Sequence, residues 1–415
     1  MQNKTPFTIA IIGGGAAGLM AAITAAKEGA TVHLYEQNIA LAKKILASGN
    51  GRCNISNARL STTDYFGEKP EFVDFCLKNF TFEQLQKFCK SIGLFLNLLD
   101  DGRAYPLSNE AKSVALSFES AAKSCGVQLF TEQTVTRVEK TEAKFYLHGE
   151  EKVPQAYDRV LIATGSEAAP QLGGSALGYA IAESFGHTVL ATYPSLVQLH
   201  LDSSVHEKIS GAKLEAEVTL YLNGKKEQTI KGDILFTKYG ISGFAILDIS
   251  QKASQALLNY ERVSIGLDLL PLFDRQALST QLLALSQSLG GYTMATLLSG
   301  LLSIKIAATL LEDAKVEPST LAKELSIKTA KQIVSKIKDW RFEVKETHGF
   351  KHAEVSGGGV STAEVNAKSM ESLKCKGLYF AGEVLDIVGR RGGYNFHFAW
   401  ASGYLAAKEM ANTKF

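Results

Sequence analysis

The sequence predicts an α/β protein, with a parallel sheet built around its N-terminus, an antiparallel β segment in its middle and a helical segment after that. Three observations carry the prediction. A strand, a glycine turn and a small-residue helix succeed one another at the start of the chain. Period-two alternation takes over from about Tyr193, and a strand ending in glycine and an acid returns at residues 377–383. At 415 residues the chain also exceeds the roughly 250–300 residues at which single cores stop growing, so more than one domain is expected.

The opening strand, Thr8 to Ile12, runs directly into Gly13-Gly14-Gly15-Ala16-Ala17-Gly18. Gly13 lets the chain turn sharply, Gly15 lets a diphosphate approach the backbone, and Gly18 lets the helix lie close on the sheet. Free N–H groups and the positive end of the helix dipole then face the phosphates. In a chain with 36 glycines such a string arises by chance, so its context decides. The next strand, Thr31 to Tyr35, ends in Glu36, which stands 18 residues past Gly18, where an acid accepts hydrogen bonds from a ribose 2′-hydroxyl. Gln37 and Asn38 add no positive charge, so the ribose of FAD or NAD fits and a 2′-phosphate does not. The unit is Rossmann-like.

Residues 43–57 lose apolar periodicity and collect Gly, Asn and Ser, which marks an elaborate loop. Lys44, Ser48, Gly49, Gly51, Arg52, Cys53 and Asn54 suit wrapping around a diphosphate or the far end of a dinucleotide. Helical spacing follows over residues 70–93 and 109–124, with Arg103 and Tyr105 between them. Strands are expected at residues 127–130 and 134–138, with a hairpin continuing through 145–147. The run Arg159 to Ala163 reads as a strand buried on both faces, and Ala163-Thr164-Gly165 forms a second glycine turn.

Alternating segments at 196–201, 214–222, 228–237 and 262–269, with an Asn223-Gly224 turn, predict an antiparallel, barrel-like domain over residues 191–270. Helices are expected over 271–349, their lysines forming a solvated face. Near the end, Gly382 and Glu383 close a strand, Asp386 follows, and Gly392-Gly393-Tyr394-Asn395 opens a last small-residue helix whose N-terminus can stabilise an anion.

Composition narrows the class. A net charge of +2 with mixed signs gives no electrostatic footprint for nucleic acid. The apolar run over residues 7–26 is broken at Gly13 to Gly15, and residues 294–311 are interrupted by Ser299, Gly300, Ser303 and Lys305, so neither is expected to cross a membrane. Five cysteines, Cys53, Cys76, Cys89, Cys125 and Cys375, show no CxxC pair and no metal-ligand spacing, as expected of reduced thiols in a cytosolic protein.

These motifs in this order resemble the two-dinucleotide-binding-domain flavoproteins. More narrowly, residues 44–57, 237–243, 356–360, 382–386 and 392–395 resemble the BaiN-like, or aminoacetone-oxidase-like, bacterial FAD flavoproteins, a match over nearly the full chain. The resemblance implies bound FAD and a discontinuous FAD domain, residues 1–190 and 350–415, around the inserted segments. It further implies that Glu36 meets the ribose, Val135 the adenine through its backbone and Glu383 the ribitol, while Gly392 to Asn395 meet the pyrimidine edge of the flavin. The activity it implies is that of a flavin oxidoreductase on a small-molecule substrate.

Several chemistries are narrowed by what the chain contains. A lone Cys53 near the first βαβ unit cannot close a dithiol relay, so it is expected to shape the loop. The glycines from Gly173 to Gly178 do not follow a strand, so NAD(P)H is expected only as a transient electron donor. His352, His397, Tyr239 and Tyr394 fall in segments expected near the flavin, although none is singled out as general acid or base. An enzyme acting on RNA, and an FAD-bound module without catalysis, stand as the alternative functions.

Overall fold

The computed structural model describes residues 7–149 and 156–412, which divide into two compact units, 1–193 with 355–415, and 194–354. In the first unit a five-stranded sheet has the order Leu378–Phe380, Arg159–Ile162, Thr8–Ile12, Thr31–Tyr35, Gln128–Phe130, every pair parallel. Thr8–Ile12 is central, and its residues Ile9, Ala10 and Ile11 are wholly buried. A strand covered on both faces must be apolar throughout rather than alternate.

The helix Ala16–Lys27 follows the first glycine turn and packs against the C-terminal helix Tyr394–Ala411. Small residues permit the close crossing: a Cβ on Gly403 would lie 2.3 Å from the carbonyl oxygen of Ala17. Trp400 anchors the same helix, its indole N–H donating to the carbonyl of Ile55 (3.0 Å) while its ring stacks on Phe118. The helical stretch expected over 70–93 is two helices, Val73–Asn79 and Phe82–Ser91. Phe80 ends the first and Thr81 caps the second, its hydroxyl accepting from Gln84 N–H while the Gln84 side chain accepts from Thr81 N–H, a capping box.

The second unit is a closed antiparallel barrel in the order Leu199–Leu201, Gly240–Ser242, Lys225–Phe236, Lys213–Leu222, Val263–Asp268, Trp340–Thr347. Residues 340–347, placed by the sequence in the helical segment, are therefore a strand. Their signal is Trp-Arg-Phe-Glu-Val, whose apolar members Trp340, Phe342 and Val344 are buried while Arg341 is exposed. The intervening helices Arg275–Ser288, Ile304–Asp313 and Ile327–Lys338 share one core with the barrel, Leu282, Ile306 and Ile333 lying in the same apolar cluster as Ile265 and Leu267. Among the described residues no helix is long and apolar enough to cross a membrane.

Candidate functional site

The site is set by register. Ile12 lies beside both Tyr35 and Ile162, and Ile162 beside Phe380, so the four strands end level. The residues that follow, Gly13, Glu36, Ala163 and Ala381, continue the ladder. Gly13 N–H donates to Tyr35 O (2.8 Å), Ala163 N–H to Ile12 O (2.8 Å) and Ala381 N–H to Ile162 O (3.1 Å). Four turns therefore stand side by side at the carboxyl edge of a parallel sheet. Its central strand is also where the winding reverses, and ligands of such sheets bind at that point.

The three motif glycines differ physically. A Cβ on Gly13, at φ +110°, would lie 2.3 Å from Ala163 O, and one on Gly18 would lie 1.9 Å from Gly13 O. Both positions are closed by backbone. Gly15 has an ordinary φ of −83°, and a Cβ there would meet nothing within 4 Å. The one open glycine is thus the one that a diphosphate must approach. Ala16 and Ala17 begin the helix with no acidic side chain in its first turn, leaving the positive end of the dipole uncompensated there.

Glu36 is buried, with Oε2 accepting from Gly14 N–H (2.8 Å) and Oε1 from Asn38 N–H (2.8 Å) and the Asn38 amide (2.6 Å). Gln133 N–H donates to the Glu36 carbonyl (2.9 Å), which brings the start of the buried strand residue Val135 toward the same edge. Gln37 turns outward to the Gly173 carbonyl (2.7 Å). Gly165, at φ +75°, is as open as Gly15, and the buried Thr164 hydroxyl has no hydrogen-bond partner among the described residues.

The loop over residues 48–53 is wound through the left-handed region at Gly49 (φ +57°), Asn50 (+54°), Gly51 (+81°) and Cys53 (+57°). Such a sequence of positive φ values persists only where its surroundings hold it. Ser48 caps the preceding turn through its hydroxyl, Arg52 lies over the Tyr105 ring (4.9 Å), and the buried Asn54 Oδ1 has no partner among the described residues. Cys53 is fully buried and its thiol is pushed up to about 12 by desolvation, which leaves no thiolate for chemistry.

Lys44 bridges to the far end of the sequence, its Nζ 2.8 Å from Glu383 Oε2. Glu383 Oε1 accepts from the Ser166 hydroxyl (2.7 Å) and from Ser356 N–H (3.0 Å). Gly382, at φ +75°, is held by its N–H to the Ser402 hydroxyl (3.0 Å). Asp386 is buried, accepts from Glu68 N–H (2.7 Å), and is pushed above the ordinary carboxyl range by desolvation, so it fixes backbone rather than reaching outward.

Gly392 and Gly393 both take positive φ, and a Cβ on Gly393 would lie 2.4 Å from Ser56 backbone. Asn57 donates to the Gly392 carbonyl (3.0 Å), Tyr65 to the Tyr394 carbonyl (3.1 Å), and Asn395 closes a two-way amide bridge to Gly389 (2.7 Å each). The helix start is therefore seated on residues 56–65. His397 is buried between the Ser56 hydroxyl and the Phe80 carbonyl (2.9 Å each), and desolvation lowers it to about 4. Its role is structural. His352 lies at the end of the short turn of helix Phe350–His352 and Tyr239 just before the strand Gly240–Ser242, both in the barrel unit.

Two partners escaped the sequence reading. Ser166 follows the second glycine turn directly, a signal that its position offered. Asp64, paired with Arg390 (2.9 Å), stood in a segment without a motif. Among the described residues no group of three or more His, Cys, Asp or Glu could hold a metal ion. The donors, the open glycines and the orphaned Thr164 and Asn54 oxygens fit a dinucleotide with a diphosphate and a polar ring system.

Comparison with known proteins agrees in kind. The model of the HI0933-like protein Rossmann domain matches residues 7–409. A Clostridium scindens protein named 3-dehydro-bile acid Δ(4,6)-reductase is 35% identical, over 97% of this chain and 98% of its own length. Ribosomal RNA dihydrouridine synthases of Haemophilus influenzae and Escherichia coli are 32% and 31% identical, over 97% and 98% of this chain and 98% and 99% of theirs. In fold, the chain resembles 3-ketosteroid Δ1-dehydrogenase from Sterolibacterium denitrificans, with a TM-score of 0.52 at 11% identity over 98% of this chain and 100% of that one.

Proposed function

This chain belongs to the HI0933-like FAD flavoproteins, and from that premise we propose that it is a reductase that adds hydride to a carbon–carbon double bond conjugated with a carbonyl group, in a small organic substrate. The observation that carries the reading is the level ending of four parallel strands, which sets Gly13, Glu36, Ala163 and Ala381 in one row. In this reading Gly15 and the N-terminus of Ala16–Lys27 hold the diphosphate, and Glu36 takes the adenosine ribose in exchange for its present backbone partners. Val135 and the Ala163 to Gly165 turn border the adenosine half. Lys44, the loop from Ser48 to Asn54, and Glu383 line the ribitol. Gly392 to Asn395 present a helix N-terminus to the pyrimidine edge.

When bound, the flavin supplies hydride transfer. The chain binds and orients the reactants. Cys53, Cys76 and Cys89 are buried and pushed up to about 12 by desolvation, which withdraws these three thiols. In this reading electrons pass to the organic substrate without a dithiol relay. Both kinds of relative carry names that describe this chemistry. A Δ(4,6) unsaturation beside a 3-oxo group and the C5–C6 bond of uridine are each polarised by a carbonyl, so hydride adds to the β-carbon and a proton to the α-carbon. NAD(P)H serves as a transient donor. The near-zero net charge supports a small molecule over RNA.

The test starts from protein whose flavin has been reduced photochemically without oxygen. A 4-en-3-one steroid should reoxidise it and gain two hydrogens by mass. Failure of every conjugated substrate, with the flavin spectrum intact, refutes the reading. A second reading, uridine within RNA, is favoured by the two synthase relatives, and a gain of two hydrogens in a ribosomal RNA transcript would establish it in place of the first.

A further inference from the structure

A small antiparallel sheet in the first unit has an edge that no strand covers among the described residues. Its order is Ser56–Asn57, Arg103–Pro106, Leu96–Leu98, so Leu96–Leu98 is bonded on one side alone. Native proteins blunt such an edge with a lysine, a proline or a bulge. Residues 95–99 read Phe-Leu-Asn-Leu-Leu, and their pairing shows none of these devices. They also stand in solvent. Phe95 is 54% exposed, Leu98 48%, and Leu107, bonded to Phe95 across the hairpin, 68%. Apolar side chains gathered along one free edge mark an interaction site.

The direction of the free backbone groups follows from the pairing. Leu107 N–H donates to Phe95 O (2.7 Å) and Leu99 N–H to Arg103 O (2.9 Å). Phe95, Asn97 and Leu99 therefore turn their main-chain groups inward, and Leu96 and Leu98 turn theirs to the open side. Pro106 stands opposite Leu96, a position with no inward bond and so no need of an N–H. Two N–H groups and two carbonyls are thus left for another strand. The side chains are symmetric about Asn97, with Leu96 and Leu98 next to it and Phe95 and Leu99 beyond. An antiparallel strand of the same sequence matches that pattern.

We propose that a second copy of this chain pairs along this edge, antiparallel, with the two-fold axis at Asn97. Leu96 of each copy then faces Leu98 of the other as a hydrogen-bonded pair, which forms four backbone bonds in all. Phe95 faces Leu99, so each apolar side chain of the edge meets an apolar one, and two three-stranded sheets become one of six strands. Asn97 meets Asn97 of the second copy and sets the register, since a slip by two residues would set it against Leu99 or Phe95. The ends agree in charge. Asp100 comes opposite Leu94 of the second copy, one turn past Lys90, and both Asp100 and Lys90 are exposed and in no ion pair among the described residues. The pairing is independent of the reaction proposed above.

The experiment uses the full-length, FAD-loaded protein and reads its mass by sedimentation. Wild type should sediment as two chains at micromolar concentration. Leu98→Lys, at an exposed site, should raise the dissociation constant at least tenfold, with flavin absorbance and circular dichroism unchanged. A second variant reads the register. An antiparallel pair without hydrogen bonds brings its Cα atoms to about 4.5 Å, inside the disulfide range of about 4.4–6.8 Å. On mild oxidation Asn97→Cys should therefore form covalent dimers at least tenfold faster than Lys328→Cys, an exposed site in the barrel unit. Wild type that sediments as a single chain, Leu98→Lys that dimerises like wild type, or Asn97→Cys that cross-links no faster than Lys328→Cys overturns the proposal.

Discussion

Replacing Gly15 by valine separates folding from cofactor binding. At φ −83° and ψ −164° the position is open to any L-residue, and the added Cβ meets nothing within 4 Å. The apoprotein should therefore unfold at the same urea concentration, with a change within about 0.5 kcal/mol, or gain slightly because the unfolded chain loses freedom. The cofactor is affected differently, since the isopropyl group fills the space through which backbone N–H groups reach the diphosphate. Hydrogen bonds to a charged group contribute about 1.5–3 kcal/mol each, so losing one or two weakens FAD by roughly tenfold to twenty-thousandfold. Urea titration of apoprotein and fluorimetric titration with FAD measure the two quantities. Gly18→Ala is the internal contrast, because its Cβ would sit 1.9 Å from Gly13 O and should destabilise by about 1–3 kcal/mol. A Gly15→Val protein that binds FAD within threefold of wild type, or whose apo form loses more than 1 kcal/mol, refutes the assignment of roles to the glycines.

Other outcomes follow from the same geometry. His397, lowered to about 4 in the fold against 6.5 in the unfolded chain, is neutral in the native state, so its stability contribution is complete above pH 6.5 and is lost as pH falls toward 4. Urea unfolding from pH 7 to 4.5 should show a decline approaching about 3 kcal/mol that is smaller in His397→Gln. Cys53, Cys76 and Cys89 should resist a thiol reagent at pH 8 until denaturant is added; rapid labelling of Cys53 in native protein would contradict its withdrawn thiol. Trp340, 1% exposed and bonded through its indole N–H to Asp313 (2.8 Å), should cost about 3–5 kcal/mol on replacement by alanine, read as loss of the barrel's cooperative unfolding.

Local chemistry explains why much of this was legible beforehand. The turn at Gly13 to Gly18, the acid at Glu36 and the second turn at Ala163 to Gly165 are short-range patterns whose purpose depends on neighbours in sequence, and each stands at a strand end as read. What escaped was set by distant partners. His352 and Tyr239 are gathered with His200 and His348 in the barrel unit, a grouping that their spacing in the sequence does not announce. The partners of His397 are Ser56 and Phe80, more than 300 residues earlier in the chain, so its burial between them had no local signal. The strand over 340–347 was hidden by the lysine-rich helices before it, although its alternation was present. Asp64 carried no signal until Arg390 was placed next to it.

The edge strand Leu378–Phe380 has a bearing on how the protein is made. It pairs with Arg159–Ile162, so the ribosome must add about 215 further residues after Gly165 before the sheet can be completed. At about 5–20 residues per second this leaves roughly 10–40 seconds during which the apolar flank of Arg159–Ile162 is uncovered. Residues 194–354 are contiguous and emerge first, so the barrel can fold while the nucleotide sheet waits for its last strand and for the C-terminal helix. Nascent chains arrested near residue 370 should then resist protease over the barrel and retain no FAD. In the cell, cofactor loading thereby becomes a checkpoint on complete translation.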